Sequence, residues 1–378
     1  MFKQIFKLIN SFLKGGVIGL AGVTLIVVLF TDLSFSEFMH KLLNIEWQEG
    51  VLSALVAIVG FLIAITVQVI LHEGGHLVCG LLTGYQFVSF RIFNWTFIRH
   101  DGKIRVKRFA IAGTSGQCLL SPPPEKPLDE IPVVWYNLGG LFANLLAVLV
   151  SLPLLWVVEN IFVHEILFFF ILVGVFFILM NGIPMKVGGV NNDAYNVFLL
   201  RKDKESKQAL MVELRTNALI QQGVRPKDMP CELFSIDGEV DYKNPLQLCL
   251  YIMDASYRLD LEKWEEAHAM FEEAWRHKSE IIGLYVKEIA CELIFTSLLT
   301  GRKDLASELY TDEQKKYILQ YRKLMSSKER ILCAIALYME GDKAKAQSIY
   351  ESVCQHQHEY LMQGEVKSDI ALMKVLLA

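Results

Sequence analysis

Four apolar stretches crowd the first half of the chain and restrict its fold more than any other feature. They run from Gly15 to Phe30, from Val51 through Leu71 and on to Leu82, from Trp135 to Val158, and from Ile161 to Met185. A helix needs about 20 apolar residues to cross a hydrocarbon core of ~30 Å. The last three stretches reach that length unaided, and the first reaches it with Thr31 to Phe35. Lys3, Lys7 and Lys14 before the first stretch are what a secretory leader would carry, but no small-x-small cleavage site follows, so it is read as a retained anchor. Only Glu159-Asn160 separates the last two, which predicts a helical hairpin. Residues 187 to 378 are different: they carry 25 Lys/Arg and 30 Asp/Glu, a density that only a water-exposed unit accepts. The 53% hydrophobic content and mean hydropathy of +0.35 average over this split.

Orientation follows from Lys and Arg in the short loops. The N-terminal tail holds three lysines, the loop from Thr31 to Gly50 one lysine against four acidic residues, and the segment from Gly84 to Val134 seven Lys/Arg. The N-terminus, that segment and the C-terminal half are therefore expected in the cytoplasm of a multi-pass cell-membrane protein, bacterial by expectation. The seven cysteines form no CxxC pair and lie mostly in parts assigned to the cytosol, so no structural disulfide is expected. A net charge of −4 without a basic run offers no footprint for nucleic acid.

Phe87 to Ile98 and Lys103 to Ile111 are two β-prone runs about Asp101-Gly102, the dipeptide of a tight hairpin turn. Lys103, Arg105 and Lys107 alternate with Ile104 and Val106, which suits either anionic headgroups or a strand whose free edge pairs with an extended substrate. From about Asn244 the pattern turns helical with a weak repeat. Ala267 and Phe271 recur as Ala306 and Tyr310 and as Ala346 and Tyr350, and Gly301 and Gly341 stand five residues before their alanines. Paired helices of this kind resemble tetratricopeptide-type repeats. The expected organisation is mainly α: an anchor span and outer loop over residues 1–50, a membrane-embedded core over 51–200 with a β-hairpin insertion at 85–120, a linker over 201–243, and a helical repeat domain over 244–378.

The chemistry is carried by His72-Glu73-Gly74-Gly75-His76, at the end of the second stretch. On a helix, residues i and i+4 share a face, with Cβ atoms about 5–6 Å apart. His72 and His76 thus present two imidazoles to one point, as a tetrahedral zinc ion requires. Glu73 stands beside that point as a general base for the attacking water. Ionisable groups are costly within lipid and so mark function there. Cys79, seven residues after His72, shares their face and is a rival third ligand, though ligands at 0, 4 and 7 on one straight helix would crowd an ion.

Together with two further elements, this motif resembles the site-2 protease family of membrane-embedded zinc metalloproteases. The elements are Gly139-Gly140-Leu141-Phe142-Ala143-Asn144 on the third stretch, and Asn181-Gly182-Ile183-Pro184 leading to Asn192-Asp193-Ala194-Tyr195 after the fourth. The resemblance covers residues 51 to about 200. It implies Asp193 as the third zinc ligand and Asn144 as a catalytic residue that holds substrate backbone or the developing oxyanion. Asp193 lies nine residues after Pro184, against about five in the family, and Gly188-Gly189 would let the longer loop fold back. The expected activity is hydrolysis of peptide bonds in membrane-inserted proteins or peptides near the cytoplasmic face, with Zn2+ as cofactor and the lipid bilayer as surroundings. The C-terminal repeats would receive a peptide or protein partner. The alternative is a catalytically silent membrane scaffold of the same fold that binds a partner through those repeats.

Overall fold

A computed structural model of the chain describes residues 47–378, apart from 101–102, 109–113, 125, 128–129, 188–189 and 235–238. The expected span from Gly15 to Phe30 and most of its outer loop lie outside the described residues. Within them the fold is mainly helical, with thirteen α-helices and a small four-stranded antiparallel sheet.

Three helices are long and apolar enough to cross a membrane. α1 spans Trp47–Leu82 and stays helical through Gly60, Gly74, Gly75 and Gly80. It holds no proline, and in apolar surroundings the helix is the form that satisfies every backbone polar group internally. α2 spans Val134–Ser151 and tightens into a 3-10 turn over Leu152–Trp156 at Pro153, where proline cannot donate to the ladder. α3 spans Ile161–Gly182, its first turn capped by Asn160 Oδ1, which accepts from the Phe162 and Val163 amides. Val51, Leu55, Ile58, Leu62, Leu146 and Phe176 all face outward, an arrangement compatible with lipid around the bundle.

Between α1 and α2 the expected single hairpin is instead a four-stranded sheet. The run from Phe87 to Ile98 divides at Phe93, which takes a φ of +52°, giving β1 (Gln86–Ile92) and β2 (Trp95–His100). As one strand those twelve residues would reach about 40 Å, well beyond the partner that follows. β3 (Lys103–Arg108) pairs with β2, and β4 (Gly116–Ser121) returns beside β1, so the order is β3-β2-β1-β4. The missed turn signal is Asn94, in a run otherwise dense with β-formers.

After α3, a two-stranded ladder, β5 (Lys186–Val187) and β6 (Val190–Asn191), leads into α4 (Asp193–Lys202). The stretch expected as a linker folds as α5 (Lys204–Gln221), whose Met211 and Leu214 share a core with Tyr85, Leu120, Ile131 and Val133. Its apolar periodicity is real but interleaved with five charged residues, which hid it. The remaining helices are α6 (Pro245–Asp260), α7 (Trp264–Arg276), α8 (Gly283–Leu299), α9 (Lys303–Leu309), α10 (Asp312–Tyr321), α11 (Ser326–Tyr338), α12 (Lys343–His356) and α13 (Gln363–Leu377). Lys328 and Arg330 on α11 are buried and paired with Glu288 and Glu292 on α8 and Asp369 on α13.

Ala267, Ala306 and Ala346 are fully buried, and each lies five residues after a turn with positive φ: +62° at Glu262, +77° at Gly301, +70° at Gly341. The first turn asks an L residue to adopt a conformation that costs about 1–2 kcal/mol, partly offset in glycine by its greater chain entropy. Glu262→Gly is therefore expected to stabilise the chain by about 0.5–1 kcal/mol. Gly301→Ala and Gly341→Ala, which meet open space and suffer only the φ strain, should each destabilise by about 1 kcal/mol. Thermal unfolding of the three variants checks this, and a lowered midpoint for Glu262→Gly would contradict it.

Candidate metal centre

His72 lies about 32 Å along α1 from Val51, at 1.5 Å per residue, roughly one hydrocarbon thickness from the start of the span. One turn on, His76 presents its ring almost perpendicular to that of His72, with centroids 4.7 Å apart and the two Nε2 atoms 3.2 Å apart. Both are nearly buried.

Two imidazoles in this bundle need room and partners, and α2 supplies both. α1 and α2 cross with backbones in contact: a Cβ on Gly75 would lie 2.1 Å from the Gly139 carbonyl oxygen, and one on Gly139 2.3 Å from that of Gly75. Such small-residue crossings let apolar helices approach closely. The approach brings the carbonyl of Tyr136 to 2.7 Å from His76 Nδ1 and the Asn144 side-chain oxygen to 2.7 Å from His72 Nδ1. Gly140 sits directly over the rings, where a Cβ would lie 2.6 Å from His72 Nδ1 and from His76 Nε2.

Asp193 reaches the same point despite its longer spacing. The extra residues form the β5–β6 ladder, which carries the chain out and back, and Gly188 and Gly189 lie outside the described residues. Asn192 closes the base of this excursion. Its Oδ1 accepts from the Met185 and Tyr195 amides, and its Nδ2 donates to the carbonyls of Met180 and Ile183. Asp193 therefore opens α4 with Oδ2 at 3.2 Å from His72 Nε2 and 3.4 Å from His76 Nε2.

Three acceptor atoms thus face one another. As neutral imidazoles, His76 donates from Nδ1 to the Tyr136 carbonyl and His72 from Nδ1 to Asn144 Oδ1, which leaves a lone pair on each Nε2 facing the buried Asp193 Oδ2. Lone pairs at 3.2–3.4 Å are held together by a proton or by a cation among them. With ligand bonds of about 2.0–2.1 Å, a tetrahedral ion separates its ligands by about 3.3 Å, so the residues present fit a small divalent metal. Among the described residues, His72, His76 and Asp193 are the group of potential ligands this close together. Cys79 lies outside it and packs toward Gly139.

Glu73 is half-buried beside the group and points at the start of β4. A Cβ on Gly116 would lie 2.5 Å from Glu73 Oε1. Buried Arg91 fixes that strand end through bonds to the carbonyls of Phe93, Thr114 and Gly116 and to the Thr114 hydroxyl. The Asn144 amide is fully engaged: its oxygen faces His72, and its nitrogen donates to Gln68 O at 3.0 Å and Gln68 Oε1 at 2.7 Å. Asn144 thus lies between Gln68 and the His72 imidazole. Asn181 bonds back to the Phe177 carbonyl at the helix end. Sequence reasoning left out Gln68, Tyr136, Asn192, Arg91 and Gly116. Of these Gln68 carried a signal, a polar residue one turn before His72 on the same face.

No protein-family model matches the chain, and no curated protein or solved structure is significantly similar to it.

The two glycines inside the motif have opposite surroundings, since a Cβ on Gly74 meets nothing within 4 Å. Gly140→Ala and Gly75→Ala should each lower divalent-metal binding more than about 10-fold by forcing α2 off α1, whereas Gly74→Ala should leave it unchanged. Metal titration of the purified variants decides, and tight binding by Gly140→Ala would contradict the geometry.

Proposed function

We propose that this chain is an intramembrane zinc metalloprotease of the site-2 protease type, anchored in a cell membrane with the site near the cytoplasmic face. The observation that carries this reading is the convergence of His72, His76 and Asp193 lone pairs at 3.2–3.4 Å inside an apolar bundle, with a carboxylate next to it. Bound there, zinc would act as a Lewis acid toward a peptide carbonyl and lower the pKa of water at the site to about 7. The donor set of two imidazoles and one carboxylate suits that ion and leaves a fourth position open.

Glu73 follows the first ligand in sequence, faces the start of β4, and makes no described hydrogen bond that would occupy it. Its role is to take the proton of the attacking water and deliver it to the departing amine. His72 and His76 hold their ring orientation through Asn144 and the Tyr136 carbonyl. β4 is an edge strand of the sheet, and its first residue lies against Glu73. A substrate segment unwound from a membrane helix and laid along β4 in extended form would bring its backbone past that carboxylate. Gly116 leaves the clearance. The exposed apolar surfaces of α1 to α3 would face lipid, and the helical domain beyond α5 would select or admit substrates.

Two outcomes test this. Glu73→Gln should keep about one zinc per chain while cutting peptide hydrolysis by at least about 10^3-fold, because a general base is removed and no ligand is lost. Asp193→Ala should lower zinc affinity far more than Cys79→Ala does. A wild-type chain that binds no zinc would favour the silent scaffold, and a Cys79 variant that loses metal would replace the third ligand. Zinc analysis and cleavage of a membrane-inserted peptide provide both readouts.

A further inference from the structure

Gln68 has no counterpart in the motifs that define the site, yet it is completely buried at the junction of all three long helices. Its Nε2 donates to the Phe170 carbonyl on α3 at 3.0 Å, and its Oε1 accepts from Asn144 Nδ2 on α2 at 2.7 Å. A wholly buried amide in an apolar bundle loses several kcal/mol of hydration, so a chain that merely needed packing here would carry leucine. The neighbouring helix is cut away to admit it: a Cβ on Gly174 would stand 2.5 Å from Gln68 Nε2.

The directions of these bonds are fixed by two groups that can only accept. The Phe170 carbonyl dictates that the nitrogen end of Gln68 faces α3, so the oxygen end faces Asn144. The same Asn144 nitrogen also lies 3.0 Å from the backbone carbonyl of Gln68, so both acceptors that hold it belong to Gln68. Asn144 Oδ1 is thereby turned to His72, which as a neutral imidazole then carries its proton on Nδ1 and its lone pair on Nε2. A flip of Asn144 would point a donor at His72 and favour the tautomer in which Nε2 is protonated and closed to metal, and a flip of Gln68 would set its donor against the Asn144 nitrogen.

We infer that Gln68 is a positioning residue for the metal centre. It anchors a directed hydrogen-bond chain from the Phe170 carbonyl through Gln68 and Asn144 to His72, and so selects the imidazole tautomer that binds the ion. The inference rests on the metal-centre reading of His72, His76 and Asp193. It goes beyond that reading by assigning metal affinity to a residue two bonds removed from any ligand and to an α3 carbonyl that no motif includes. Groups that orient ligating histidines typically govern metal affinity by about 10- to 100-fold.

The test uses the full chain in detergent, stripped of metal and titrated with Co2+ followed by its d–d absorption, then with Zn2+ in competition with a chelator. Gln68→Leu keeps the volume and removes both bonds. Gly174→Ala keeps the Gln68 residue but crowds its nitrogen, and Val148 as well, each 2.5 Å from the new methyl, without touching a ligand. Both are expected to weaken Co2+ and Zn2+ binding about 10- to 100-fold and to shift the cobalt bands, Gln68→Leu with a metal-free unfolding midpoint close to wild type. A residue that serves packing alone would lower the metal-free midpoint and leave the affinity and the cobalt spectrum as they are. Wild-type affinity with an unchanged spectrum in either variant overturns the inference. If the wild-type chain itself takes up neither ion, the metal-centre reading fails first, a result distinct from one in which wild type and variants load equally.

Discussion

Placing imidazoles and a carboxylate inside an apolar helix bundle forces most of what surrounds them. An unpaired polar group there costs several kcal/mol, so each must be matched within a few ångströms, and few side chains can reach. Gln68, His72 and His76 occupy successive turns of one face of α1, and α2 answers them in register with Asn144 and the Tyr136 carbonyl. That match is reached only because Gly75, Gly139 and Gly140 let the two backbones touch. A single methyl at Gly140 would occupy the space of both rings. The glycine-rich crossing is thus the geometric condition for a polar interior, and the polar interior in turn fixes how the helices turn about their axes.

Much of this was legible where the pattern is local and periodic. The spacing of His72 and His76 placed both rings on one face, and the apolar runs located α1, α2 and α3 to within a few residues. The turns at Gly301 and Gly341 were readable because glycine alone takes positive φ freely. Their equivalent at Glu262 was not, because there the fold imposes the conformation against local preference. Gln68 stood in plain view at the correct helical offset, but hydropathy averaging treats one amide among apolar neighbours as noise.

Other parts depended on contacts between residues far apart in sequence. The run from Phe87 to Ile98 read as one strand because β-propensity continues through it, and only pairing of β1 with β4 shows where it must fold. The longer path from Pro184 to Asp193 raised doubt about the third ligand, since spacing counts residues and not the distance they cover. A ladder closed by Asn192 spends the extra residues without moving Asp193 away. Asn144 illustrates the opposite difficulty. Its presence was readable, but the partner of its amide depends on how α1 and α2 face each other.

The C-terminal half packs against the helix bundle and its sheet. α5 lays Met211 and Leu214 against Tyr85 and Leu120, and Arg215 donates to the Pro123 carbonyl. On the other side of the sheet, Lys107 of β3 donates to the carbonyls of His358 and Tyr360. Burying an aliphatic side chain contributes about 1.5–3 kcal/mol, so a chain cut ahead of α5 would expose apolar surface beneath β4. The sheet is therefore clamped between two units, with the helical domain at β3 and the candidate metal centre at β4. Because antiparallel strands share a continuous ladder, the position of Gly116 beside Glu73 depends on both clamps together. In this fold the C-terminal half is part of the support on which the site's geometry stands.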